Sequence, residues 1–214
     1  MDPGRDHVAE PPGGVKDSSA SAFPASTLIT RAELAARIED LGRELSHAYA
    51  DSREPLVVVG VLKGSALFLA DLLRALHTEV VVDFIAISTY PRPGAQSGIV
   101  KLIKDLEGDI SGRDVLLVED IVDTGLTLNY LRRTLTERRP RSLETVTLLD
   151  KGVRRIVPVP LERRGFEIAD VFVVGYGLDF QGRYRNLPDI VAVWDLGRLL
   201  STPNLLEGWL WPVS

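Results

Sequence analysis

The sequence predicts an α/β fold on a mostly parallel, twisted sheet flanked by helices. Three observations carry that prediction. Short runs rich in Val, Ile and Leu alternate with stretches of helical periodicity, several runs are apolar at every position, and charged residues stand where the runs stop. With 214 residues, 45% of them hydrophobic, and a mean hydropathy of +0.07, the chain can bury one good core. That length favours a single domain.

Residues 1–25 are rich in Pro, Gly, Ser and Asp, with neither the basic start nor the apolar centre of a signal peptide, and are expected to be a disordered extension. At Thr30 the pattern changes. Thr30 and Glu33 make a capping box, and Leu34, Ile38, Leu41 and Leu45 line one face of a helix. Strands are expected over Leu56–Val61, Val80–Ser88, Val115–Val118, Thr145–Asp150, Val171–Gly175 and Ile190–Trp194, and helices over Ser65–Leu76 and Leu126–Arg138. In such a sheet ligands bind beyond the carboxyl ends of the strands, where Lys63, Asp120 and Lys151 fall. Between Tyr90 and Gly112 the chain is rich in Gly, Pro and charge, with a short strand conceivable at Ile99-Val100 and Leu102-Ile103. The tail, 196–214, carries Trp209 and Trp211 and is expected to pack on the domain or on a neighbouring subunit.

Composition narrows the function classes. A formal charge of −5 and a pI near 5.3 give no electrostatic reason for nucleic-acid binding. Arg138, Arg139 and Arg141 read as a solvated helix end. There is no cysteine, so disulfides and thiolate metal sites are excluded, and His7, His47 and His77 are scattered. The longest apolar run, Leu56–Leu62, is too short to span a bilayer. A cytoplasmic protein with no membrane partner is expected.

Val118–Leu128 is the most informative stretch. It sets Glu119, Asp120 and Asp123 beside Thr124, Gly125 and Thr127, between a buried strand and a helix whose apolar face holds Leu128, Leu131 and Leu135. Free N–H groups at a helix start, with two hydroxyls, suit a phosphate, and Gly125 lets the backbone approach it closely. The carboxylates would repel that phosphate. They suit a diol, a divalent cation or a developing positive charge.

This segment resembles the phosphoribosyl pyrophosphate (PRPP) loop of type I phosphoribosyltransferases, and its surroundings resemble the hypoxanthine-guanine branch. Four further stretches match in order: Val59–Ser65 (VGVLKGS), Asp83–Tyr90 (DFIAISTY), Leu148–Arg155 (LLDKGVRR) and Val173–Ile190 (VVGYGLDFQGRYRNLPDI). The likeness runs from about Thr27 to Asp195. It implies a phosphoribosyltransferase domain over 26–195, with a small hood subdomain, acting in purine salvage. The implied reaction replaces the pyrophosphate of PRPP with N9 of a 6-oxopurine, giving IMP from hypoxanthine, GMP from guanine or XMP from xanthine.

The resemblance also assigns roles. Glu119 and Asp120 bind the ribose hydroxyls and the Mg2+ shell and stabilise positive charge on the sugar, and Asp179 helps bind a second Mg2+. Asp123 is the general base toward purine N7, with capping of the following helix as its other reading. The PRPP phosphate falls to Thr124, Gly125, Leu126 and Thr127, and pyrophosphate to Lys63, Gly64 and Arg185. Arg183 lies close by, and alignment on YRNLP favours Arg185. A cis peptide often precedes the family's loop lysine, here at Leu62-Lys63. Lys151, Phe172, Val173 and Asp179 form the purine pocket, in which a Lys ammonium suits a 6-oxo group and opposes adenine's 6-amino group. For Phe172 the alternative is a core aromatic. Thr89 and Tyr90 match a Ser-Tyr pair in a mobile lid, whose alternative is an ordinary hairpin. A homodimer or homotetramer is implied by analogy.

Three positions depart from the family pattern. Phe180 stands where Tyr is usual, Gly182 where many bacterial members have Glu, and Leu126 where some relatives have Lys. Phe180 and Gly182 touch preference among oxopurines more than the reaction, whereas Leu126 removes one possible phosphate or interface contact, for which backbone donors should suffice. Rival readings are a receiver domain, an RNA-binding regulator on the same fold, and a phosphoribosyltransferase for another nucleobase. The first needs its acids near the domain's beginning and a phosphoacceptor Asp on a later strand end, whereas here the acids come after two strands and the DTGLT turn follows. The second requires a broad basic face, and the third is opposed by Lys151 and GYGLDF.

Overall fold

The computed structural model of the chain describes residues 25–90 and 99–207. The expected N-terminal extension, the tip of the lid, the side chains of Thr89 and Tyr90, and both Trp209 and Trp211 lie outside the described residues. Ala25 does not belong to that extension. It opens a strand, β1 (Ala25–Ile29), which pairs antiparallel with a strand at the far end of the domain.

Helix α1 (Arg31–Ala48) starts at the expected place: Thr30 accepts from the Glu33 N–H, and the Glu33 side chain reaches back to the cap. Then follow β2 (Leu56–Leu62), α2 (Ala66–Ala75), β3 (Val80–Tyr90), β4 (Ile99–Lys104), β5 (Asp114–Val122), α3 (Leu126–Thr136), β6 (Ser142–Asp150), β7 (Arg163–Glu167), β8 (Phe172–Val174), β9 (Ile190–Val193) and α4 (Leu196–Ser201). The main sheet runs β4-β3-β2-β5-β6-β7, parallel except for β4 at one edge. A small antiparallel sheet, β1-β9-β8, stands apart from it as a hood.

Strand β2 shows why the sheet is central. Leu56 and Val58 join the cluster under α1 and α2, where Leu34, Ile38, Leu41 and Leu72 are buried, while Val57, Val59 and Val61 join the opposite cluster with Leu128, Leu131 and Leu135 of α3. Each such side chain contributes about 1.5–3 kcal/mol by leaving water. The described part of the tail packs on the hood: Leu199 and Leu206 are buried with Val174, Tyr184 and Leu187.

Two strand ends matter most for function. From β2 the chain steps outward to β3, and β5 returns to the other side of β2, so the strand order reverses between β2 and β5. Parallel sheets open a crevice at such a reversal. Strand β5 also runs further than the apolar pattern implied. Its ladder with β6 continues through Glu119↔Thr147 to Val122↔Asp150, so Glu119 and Asp120 belong to the strand and not to a loop after it.

Candidate active site

The carboxyl ends of β2, β5 and β6, with the segment after β8, converge on one rim. Gly64, just past β2, is packed so closely on Asp120 that a β-carbon there would overlap its carboxylate, and a β-carbon on Gly177 would overlap the Gly64 carbonyl. Three segments far apart in sequence therefore meet at one backbone crossing. The Leu62-Lys63 peptide is cis, and Lys63 is exposed.

Arg185 ties the crossing together. It donates to the Gly177 carbonyl at 2.6 Å and pairs with Asp179 Oδ1 at 2.5 Å, while Asp179 Oδ2 accepts from the Gly182 N–H at 2.6 Å. Arg183 turns the other way, toward Asn204 and Glu207.

A cavity of about 460 Å³ opens beside this crossing, lined by Asp120, Ile121, Asp123, Lys151, Arg154, Phe172, Val173, Leu178 and Asp179. Asp123 and Lys151 thus share one hollow. Their positions follow from the sheet, because the Lys151 N–H donates to the Val122 carbonyl at 2.9 Å and so joins the end of β6 to the end of β5. Lys151 is only 6% exposed. Burial pulls its ammonium below the ordinary value, and the charges of Asp123 and Asp170 push it back up.

Asp123 does not cap α3. The cap residue is Gly125, at φ 82° and without a side-chain cap bond. Asp123 Oδ1 is buried with no hydrogen-bond partner among the described residues, and Arg154 Nε stands 3.3 Å from it as a charge contact. The loop is held from behind instead: the Thr124 carbonyl accepts from Ile156 and Val157 at 2.9 and 3.3 Å, and Thr124 Oγ1 accepts from Leu126 at 3.4 Å. Phe172 meets Phe180 edge to face, with ring centroids 6.1 Å apart and planes at 87°.

A larger groove, about 550 Å³, lies between α1, α2 and residues 176–188. There Tyr176 donates to Asp71, which also pairs with Arg74. Arg31 and Glu39 line that groove too, but the acids and the lysine at the carboxyl ends of β5 and β6 are in the smaller cavity.

The sequence profile described as the phosphoribosyl transferase domain matches residues 30–181. Hypoxanthine phosphoribosyltransferase of Escherichia coli K12 is 50% identical over 166 residues, which cover 78% of this chain and 93% of that protein. The hypoxanthine-guanine phosphoribosyltransferase of Bacillus subtilis is 46% identical over 163 residues, covering 76% and 89%. The chain belongs to the hypoxanthine-guanine phosphoribosyltransferases. Solved structures agree: that of the hypoxanthine phosphoribosyltransferase of Trypanosoma cruzi superposes with a TM-score of 0.73 at 41% identity, covering 80% of this chain and 97% of its own.

For this phosphoribosyltransferase the expected acids separate. Asp120 lines the cavity, whereas Glu119 does not and is only 4% exposed. Burial pushes the Asp120 carboxyl up to about 6 and the Glu119 carboxyl well above the usual range, with the charge of Asp120 adding to the latter. Among the described residues no three acids or histidines form a ready-made metal cage. Asp120 and Asp179 nonetheless line the same cavity, with Arg185 paired to Asp179 and its charge favouring the ionised form of Asp120. Hard carboxylate oxygens on one cavity wall are a donor set that suits a Mg2+ ion.

Ile121, Arg154 and Leu178 line the cavity without having been singled out in the sequence. All three carried a signal, since Ile121 lies in Val118–Leu128, Arg154 in LLDKGVRR and Leu178 in Val173–Ile190, but none was given a role.

Proposed function

We propose that the protein transfers the 5-phosphoribosyl group of PRPP to N9 of a 6-oxopurine, making IMP from hypoxanthine and GMP from guanine, with xanthine as a further substrate, and releasing pyrophosphate. The observation that carries this reading is one cavity lined by both Asp123 and Lys151. A carboxylate facing an ammonium across a purine-sized hollow can hold the N7 proton while the ammonium donates to the 6-oxo oxygen.

The geometry supports the remaining roles. Gly125 at φ 82° frees the N–H groups at the start of α3 for the 5-phosphate, aided by the hydroxyls of Thr124 and Thr127. Lys63, Gly64 and Arg185 stand at the crossing where pyrophosphate departs. Asp120, with the Glu119 carboxyl buried behind it, stabilises positive charge growing on the ribose. Phe172 and Val173 wall the purine, and Thr89 and Tyr90 belong to the lid.

Mg2+ would be held by Asp120 and Asp179, with waters and phosphate oxygens as its other ligands, and would neutralise the leaving pyrophosphate. The domain expected over 26–195 takes in Ala25 as the first residue of β1, and the protein is taken as a cytoplasmic homodimer or homotetramer.

Incubation with PRPP, Mg2+ and one nucleobase at a time tests the reading. Nucleotide should form from hypoxanthine and guanine and not from adenine or uracil. Product from adenine at a comparable rate would reject the assignment of the pocket.

A further inference from the structure

Asp170 belongs to none of the chemistry assigned above, yet it touches both cations of the base cavity. It sits in the turn between β7 and β8, closed by the Val171 N–H donating to the Ala169 carbonyl at 2.8 Å. The same turn is pinned to the end of β6, because the Ile168 N–H donates to the Asp150 carbonyl at 2.9 Å, next to Lys151. The backbone of Asp170 is therefore fixed relative to the residue it serves.

Its Oδ1 lies 3.4 Å from Arg154 Nη1 and 3.9 Å from Lys151 Nζ. Arg154 in turn places Nε 3.3 Å from Asp123 Oδ1. Acid and base thus alternate as Asp123, Arg154, Asp170 and Lys151, three of them lining the cavity and Asp170 bridging two of those from outside its wall. The Lys151 side chain is 7% exposed and that of Asp170 54% exposed, so the carboxylate reaches in from water to a buried ammonium. An ion pair open to water on both sides contributes little, but removing the partner of a buried cation leaves that charge uncompensated.

The charges of two carboxylates act on the same ammonium, that of Asp123 the more strongly, yet among the described residues the one within 4 Å of it is Asp170. Lysine has a flexible stem of four carbons and three rotatable donors. Without Asp170 the neighbouring acid left to it is Asp123, and pairing there would remove the ammonium from the 6-oxo position and occupy the proton acceptor.

We propose that Asp170 is a positioning residue: it holds Lys151 and Arg154 so that Lys151 meets the 6-oxo group while Asp123 stays open to the purine. This rests on the reading of Lys151 as the group that recognises the base.

The test is steady-state kinetics of Asp170→Asn, Asp170→Glu, Lys151→Met and the double variant Asp170→Asn/Lys151→Met, varying hypoxanthine and PRPP separately. Asp170→Asn should raise KM for hypoxanthine about fivefold, the scale of one half-buried ion pair, with KM for PRPP unchanged. Asp170→Glu should restore most of the loss, and Asp170→Asn should add nothing once Lys151 is Met. A purely structural role would lower the yield of folded enzyme and leave KM alone. If Lys151→Met raises KM for hypoxanthine but Asp170→Asn does not, the positioning role falls and the base reading stands. An undiminished effect of Asp170→Asn in the Lys151→Met background also overturns it. If Lys151→Met leaves hypoxanthine binding intact, both fall together.

Discussion

Gly64 leaves no room for a β-carbon, because the Asp120 carboxylate occupies the space where one would stand. The pyrophosphate-side loop and the ribose-side acid are therefore a single packed unit, with Gly177 closing it from a third direction. Gly64→Ala should displace Asp120 by a few tenths of an ångström or more and lower kcat/KM for PRPP about 100-fold, the scale of a small misplacement at a reacting centre. Circular dichroism and PRPP-saturation kinetics check this. Near-normal kinetics would mean that the contact between loop and acid is incidental.

Asp123 neither caps the helix after it nor finds a hydrogen-bond partner for its buried Oδ1 among the described residues. Asp123→Asn should then lower turnover by about 10²–10⁴, the usual contribution of a placed acid or base, with the melting temperature nearly unchanged. A variant that melts much earlier would show a structural duty that the geometry does not reveal.

Arg183 and Arg185 are two residues apart and point in different directions, the first to Asn204 and Glu207, the second to Gly177 and Asp179. In the reverse reaction, Arg185→Ala should raise KM for pyrophosphate about tenfold or more, as expected for the loss of a charge-assisted contact. Arg183→Ala should leave it unchanged. Equal effects from the two variants would remove the distinction.

Burial raises the Asp120 carboxyl to about 6 from 3.8, and Glu119 moves in the same direction. A carboxyl whose folded value exceeds its unfolded one favours the fold while protonated. That contribution is complete below the unfolded value and is lost as pH rises through the folded one. Asp120→Asn cannot ionise, so it should be more stable than wild type at pH 8, by about 1–2 kcal/mol after allowing for water at the rim. The gain should shrink below pH 6 and vanish near pH 4 in urea unfolding. Affinity for PRPP with Mg2+ in the wild type should weaken as pH falls through the same range, because a protonated carboxyl is a poor metal ligand. A pH-independent stability difference would contradict the burial argument.

Much of this architecture was legible because apolar pattern and backbone agree. The β2 run, the capping box of α1 and the Leu128, Leu131 and Leu135 stripe of α3 fall where the pattern put them. The pattern misjudged β5, since Asp114, Glu119 and Asp120 interrupt an apolar run while the ladder to β6 continues through them. Strand β7 gave no signal: it is an edge strand in which Phe166 alone is buried, and Arg163 and Arg164 pair with Glu144, Asp150 and Glu167. Strand β1 was partly taken for a tail because its partner, β9, lies at the other end of the domain. The basic cluster follows the end of α3 with Arg139 and Arg141 exposed, as expected, while Arg138 pairs with Asp105 and Arg141 with Asp114. Arg154 and Asp170 entered the site through geometry, because only the fold brings the turn before β8 against the end of β6.

A crystal structure with IMP is the most direct measurement. The hypoxanthine ring should lie in the cavity of about 460 Å³, with Lys151 Nζ about 3 Å from O6 and the Asp123 carboxylate facing N7. A nucleotide seated elsewhere, for instance in the groove beside Tyr176 and Asp71, with Lys151 and Asp123 both untouched, would contradict it.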